Sequence, residues 1–216
     1  MRRKRILGAG VCALLAAIVS IDRTHAIGPV DVELGALYWG ASTDNGFANE
    51  SSGAPGGFGN LWLKNSLGFG ASRYDVSPGG TLAGTDEDFT TVDVRWRWLS
   101  ASRNNFIALG LGAERVGIVD DATTAPRVSV EGRVSVKIVY FFARGAYLPT
   151  MGSMSIQGLP YDGRTGYELE GGLAVKPAAF ISIYAAYKSN NIDLTGPTGD
   201  VSLTSSGPAA GLVFSF

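Results

Sequence analysis

The sequence predicts an all-β fold: an antiparallel up-and-down transmembrane β-barrel of ten strands, with eight as the alternative count. Three observations predict it. Apolar and polar residues alternate with period two in short runs. Those runs are separated by stretches rich in Gly, Ser, Asn, Asp and Pro. The connections alternate in length, as in a barrel that turns tightly at one rim and loosely at the other. The composition agrees. At 45% hydrophobic and 17% charged, with a formal net charge of −1, the 216-residue chain is too apolar for disorder and shows no basic footprint for nucleic acid.

The elements follow in order. Arg2, Arg3, Lys4 and Arg5 precede an uncharged stretch from Ile6 to Ile21, and Thr24-His25-Ala26 then offers a small-residue cleavage site. This reads as a signal peptide over 1–26, because the apolar stretch is short of the ~20 residues a spanning helix needs. The barrel domain is then 27–216. Five of the 18 basic residues (Arg2, Arg3, Lys4, Arg5, Arg23) and one of the 19 acids (Asp22) lie in the leader, so the remainder is net acidic, 13 against 18. The single cysteine, Cys12, and the single histidine, His25, lie there too.

After Ile27 the runs fall at about 29–41, 57–64, 66–75, 88–99, 105–117, 126–136, 139–149, 164–175, 180–193 and 205–216. Short turns are expected at 64–66, 100–104, 137–138 and 176–179, and long loops at 42–56, 76–87, 118–125, 150–163 and 194–204. The clearest run is Val92-Asp93-Val94-Arg95-Trp96-Arg97-Trp98, with charges on one face and large apolar residues on the other. Packing the apolar face inward would overfill a lumen that already closes on its side chains at about eight strands. The inverse arrangement puts apolar residues against lipid and charges with small residues inside, and a closed ladder leaves no backbone group unpaired in hydrocarbon.

That phase assigns a lumen charge network of Asp31, Glu33, Asp93, Arg95, Arg97, Glu114, Glu131, Arg133, Arg144, Glu168, Glu170 and Lys188. The turn at 176–179 places Glu168 directly across from Lys188. The network is read as a salt-bridged plug, since buried charges are tolerated when paired; a selectivity ring is the alternative. With both ends of the barrel domain on the short-turn side, Tyr38, Tyr147, Tyr167 and Tyr187 form a girdle at the long-loop rim. Trp96, Trp98, Phe141 and Phe180 form the other.

The last strand places Leu212, Phe214 and terminal Phe216 at alternate positions. This resembles the C-terminal assembly signal of small bacterial outer-membrane β-barrel proteins, in the broad OmpA/OmpW-like class. The resemblance implies export to the outer membrane of a Gram-negative bacterium, handling by the barrel-assembly machinery, and contact with outer-membrane lipids and lipopolysaccharide. Enzymes of this architecture rely on histidine, which residues 27–216 lack, so no catalytic residue and no cofactor is assigned.

Other constellations are weak. Gly68-Phe-Gly70 and Gly110-Leu-Gly112 do not complete a nucleotide loop and read as relief of crowding on the barrel wall. Acids in the loops, such as Asp86-Glu87-Asp88 and Asp120-Asp121, form no complete calcium pattern, so no metal site is assigned. Arg73, Arg115 and Arg164 near the loop rim are candidates for lipid A phosphates or for snorkelling. The expected role is structural or surface-interacting with a plugged lumen. The alternatives are a passive, porin-like narrow pore for small or amphipathic solutes, and adhesin-like binding through loops 42–56 and 150–163.

Overall fold

A computed structural model describes residues 30–63, 66–82, 86–102, 104–119, 121–156, 158–197 and 199–216; the leader, with Cys12 and His25, lies outside them. The alternating runs become strands β1 (Val30–Asp44), β2 (Asn49–Leu63), β3 (Leu67–Pro78), β4 (Glu87–Ser102), β5 (Asn105–Ile118), β6 (Asp121–Val136), β7 (Val139–Leu148), β8 (Ser153–Ile156), β9 (Leu159–Ala178), β10 (Ile181–Gly196) and β11 (Gly199–Ser215). All pairings are antiparallel between sequence neighbours, except that β7 pairs with β9 and β1 with β11. The ring therefore closes on ten strands, and β8 is an extra strand hung on β9. At the seam Val32 and Phe216 exchange two backbone hydrogen bonds of 3.1 and 2.9 Å.

The strands are longer than the apolar alternation suggested. β2 begins at Asn49 rather than 57, β6 at Asp121 rather than 126, and β11 at Gly199 rather than 205. Much of the expected loops 42–56, 118–125 and 194–204 is strand, and 150–163 contains the β8–β9 hairpin. The cause is physical: in pairs such as Ser51-Ser52 and Thr123-Thr124 both faces are polar, so the pleat continues without an apolar signature.

Outside the barrel, Val92, Val94, Trp96, Trp98, Val128, Val130, Leu111 and Leu169 are exposed, while Asp93, Arg97, Glu131 and Glu168 on the opposite phase are buried. No helix among the described residues is long and apolar enough to cross a membrane; the apolar exterior is made of strands. Tyr38, Tyr147, Tyr167 and Tyr187 stand exposed towards one rim, and Trp96, Trp98, Phe141 and Phe180 towards the other.

The lumen corrects one expectation. It holds large aromatic and aliphatic side chains as well as charges and small residues. Trp39, Trp62, Phe58, Tyr74, Phe89, Phe106, Tyr140, Phe142 and Tyr184 are all buried. One apolar cluster runs along the lumen, from Phe89, Val116, Ile118, Leu148, Ile192 and Leu194 at the end carrying the longer connections to Tyr140, Phe142, Tyr184 and Val213 towards the other. A ten-stranded ring leaves more interior than charges alone can fill, and unfilled space forfeits dispersion contacts.

Candidate functional site: the charged lumen

The middle of the lumen is built from inward positions at every second residue. β4 supplies Asp93, Arg95 and Arg97; β6 supplies Arg127, Ser129, Glu131 and Arg133. β9 supplies Glu168 and Glu170, with Glu33 from β1, Asn60 from β2, Glu114 from β5, Arg144 from β7 and Lys188 from β10.

Two hubs organise these groups. Arg133 donates from Nη1 and Nη2 to the Glu33 carboxylate at 2.7 and 2.8 Å, and from Nε to Glu131 Oε1 at 2.7 Å. Glu131 Oε2 accepts from Arg95 Nη1 at 2.7 Å; Arg95 Nη2 donates to Asn60 Oδ1 at 2.7 Å; and Asn60 Nδ2 donates back to Glu33 at 3.3 Å. This is a closed circuit, Glu33–Arg133–Glu131–Arg95–Asn60, drawn from four strands. Fork-shaped guanidinium pairing suits it because each arginine can meet two acceptors in fixed geometry.

The second hub is Arg127, which the lumen set read from the sequence omitted. It donates to Asp93, to Glu114 at 3.2 Å and to Glu168 at 2.6 Å, and Glu168 also accepts from Lys188. Arg127 shares the phase of Ser129, Glu131 and Arg133, so alternation alone could have found it. Asn60 carried no charge signal and was not recoverable from charge patterning. Arg144 lies 3.6 Å from Glu170 and 4.0 Å from Glu131, and Arg95 Nε lies 3.7 Å from Asp93, linking the two hubs.

The expected direct pairing of Glu168 with Lys188 is corrected. Glu170 stands across from Lys188 and Asn190 across from Glu168, so the Lys188–Glu168 bond is diagonal. The register moved because β9 runs on through Pro177 to Ala178, which tightens the turn to 179–180. Towards the short-turn rim, the Arg97 guanidinium lies between the rings of Trp62 and Phe106, 4.0 and 4.2 Å from their centroids. Asp31 is partly buried near that rim. At the opposite rim Glu87 is buried and accepts from Ser205 Oγ at 2.9 Å.

The glycines of the wall make room for these groups. A Cβ at Gly70 would sit 1.4 Å from Arg95 Nη2, and one at Gly68 would sit 2.5 Å from the Trp62 ring. Gly110 and Gly112 lie comparably close to Ser129 and Asp93. What remains empty between the hubs is a void of about 30 Å³ bordered by Asn60, Asp93, Arg95, Arg144 and Glu170. That is water-sized. Among the described residues no group of His, Cys, Asp and Glu is arranged to hold a metal ion.

Towards the loop rim the exterior carries ion pairs. Arg73 pairs with Asp75, Arg115 with Asp88 and Arg164 with Asp200, all on the exterior or the loop rim. Glu50 accepts from the Thr81 backbone N–H at 3.0 Å and from its hydroxyl at 2.7 Å, and these bonds hold its carboxyl below the usual range. The Ser155 and Ala122 N–H groups do the same for Asp121.

No protein-family model and no curated protein matches the chain. Among solved structures the barrel is similar to the outer membrane protease OmpT from Escherichia coli, with a TM-score of 0.59 at 9% identity, covering 87% of this chain and 96% of that one. Neisserial surface protein A gives 0.43 at 14% identity, covering 88% and 98%. The attachment invasion locus protein Ail of Yersinia pestis gives 0.36 at 15%, covering 87% and 97%. At such identities the likeness speaks for fold and not for activity. The chain has the fold of the small bacterial outer-membrane β-barrels, a closed antiparallel ring of ten strands with one strand added.

Proposed function

We propose that the protein is a non-conducting barrel of a Gram-negative outer membrane, with a structural or surface-interacting role and a lumen sealed by its own side chains. The observation that carries this reading is the paired charge circuit packed among buried apolar side chains, with a water-sized void between the hubs. A hydrated ion passing along the axis would have to break the Arg127 and Arg133 hubs and then cross Trp39, Phe89 and Leu194. Each step leaves a buried charge unpaired or puts an ion in hydrocarbon-like surroundings. The apolar exterior, its two aromatic girdles and the polar rim support the membrane habitat.

Catalysis is not part of this reading, although a protease shares the fold. The barrel domain carries no histidine, and the carboxylates Asp93, Glu114, Glu131 and Glu168 in the middle of the lumen are committed to arginines or to lysine. Planar-bilayer recording of the purified protein tests the reading. Near-zero single-channel conductance is expected; steady openings well above leak overturn it in favour of the narrow pore.

A further inference from the structure

The loop end of the lumen holds one carboxylate that the ion-pair network does not neutralise. Glu87 opens β4 at an inward position and is 2% exposed. Its Oε2 accepts from Ser205 Oγ at 2.9 Å, and Ser205 Oγ lies 2.8 Å from Thr43 Oγ1. Its Oε1 is shut off from solvent without a hydrogen-bond partner. Asp93, Glu114, Glu131 and Glu168 each meet a guanidinium or an ammonium group. No lysine or arginine among the described residues pairs with Glu87. The nearby lumen cations are committed elsewhere: Arg127 to Asp93, Glu114 and Glu168, and Lys188 to Glu168.

Asn190 adds a second orphan. It is the register partner of Ser205, faces the lumen from β10, and is buried with its Oδ1 unpartnered. Four strands thus bring a carboxylate, two hydroxyls and an amide oxygen to one end of the lumen, where acceptors outnumber donors. Ser205 gives its proton to Glu87, so Thr43 gives its own to Ser205. Glu87 Oε1 and Asn190 Oδ1 are left with lone pairs and no donor. A proton on Glu87 serves one orphan oxygen, whereas a cation in the cluster can take both and the spare lone pairs of the hydroxyls.

Charge selects the ion. A buried carboxylate is tolerated when paired, and a single positive charge balances this one. Oxygen-only ligands suit a hard cation. A calcium site draws on several carboxylates, and no such group occurs among the described residues. We propose that Glu87, Thr43, Ser205 and Asn190 form a site for a hard monovalent cation such as sodium, which neutralises Glu87 and ties the loop ends of β1, β4, β10 and β11 together. The site goes beyond the sealed-barrel reading and stands whether or not the lumen conducts.

Urea unfolding of the intact barrel in phosphatidylcholine vesicles tests this, with sodium exchanged for N-methylglucamine at constant ionic strength and pH. A ligand held only by the folded state stabilises by mass action, so the unfolding constant should fall about tenfold once sodium reaches ten times its dissociation constant. Glu87→Gln keeps the size, removes the charge and should abolish the sodium response. Ser205→Ala keeps the carboxylate, removes one oxygen and should weaken the response, so it decides the matter even where Glu87→Gln does not fold. Heat-dependent gel mobility reports the folding of each. Calcium at the same ionic strength should stabilise less than sodium. A midpoint indifferent to sodium, a sodium response undiminished in the folded variants, a stronger response to calcium, or one that follows pH alone overturns the proposal.

Discussion

Arg133 is where the lumen is most vulnerable. It is almost fully buried and satisfies both Glu33 and Glu131, so Arg133→Met leaves Glu33 without its guanidinium and takes one of two short bonds from Glu131. Breaking a buried pair from one side costs about 3–5 kcal/mol. The midpoint of urea unfolding in lipid vesicles should fall accordingly, and an unchanged midpoint would show that water already satisfies these acids. Gly70→Ala is the steric counterpart. The added methyl meets the Arg95 guanidinium and should cost about 1–3 kcal/mol by the same assay, as overpacking does. At this scale the sequence was legible where charge alternated with large apolar residues, as along Val92–Trp98. Arg127 was equally legible, since it falls inside the run 126–136 on the inward phase of Ser129 and Glu131. Trp39 and Tyr74 were legible through phase alone, beside the outward Tyr38 and Arg73, and Trp62 was not. An aromatic residue on a barrel strand has the same composition whether it meets lipid or fills the lumen, and neighbouring strands decide which.

Strands and turns carry the next set of consequences. The apolar alternation marked β5 and β7 almost end to end, and the polar overhangs of β2, β6 and β11 showed themselves only through their backbone pairing. One overhang is tied to a loop: the β2 residue Glu50 holds the short 3-10 turn Gly80–Leu82. Gly80 adopts φ +57°, and a Cβ there would lie 2.4 Å from the Glu50 carboxylate, so both conformation and space demand glycine. Because the folded Glu50 carboxyl titrates below its ordinary value of about 4.3, its contribution is fully present above that pH. It is lost as pH falls through the lowered folded value. The Thr81 amide resonance should therefore shift towards a loop position in strong acid while strand amides hold. Turn 137–138 offers an independent test: Lys137 is exposed at φ +55°, which glycine adopts freely. Lys137→Gly should stabilise by up to about 1 kcal/mol, read as a raised unfolding midpoint.

For the molecule as a whole, closure matters more than any single strand. The β1–β11 seam and the β9–β10 pairing leave the barrel ring without a free edge, so detergent has no strand from which to peel it. Unboiled protein should therefore migrate differently from boiled protein on denaturing gels, and identical mobility would count against a closed barrel. Closure was legible in the even count of runs and in the girdles. The apolar cluster in the lumen was not, because it is assembled from inward residues of many strands that meet only when the ring closes.

Glu33 and Arg133 are separated by 100 positions in the chain and sit on strands that are not neighbours in the sheet. They meet only once the sheet has curled far enough for β1 to face β6 across the lumen, so a flatter, half-built sheet carries unmatched charge on its concave side. Such late-forming, high-contact-order bonds belong after the transition state for assembly. Strengthening or weakening them should change how fast the finished cylinder comes apart much more than how fast it forms.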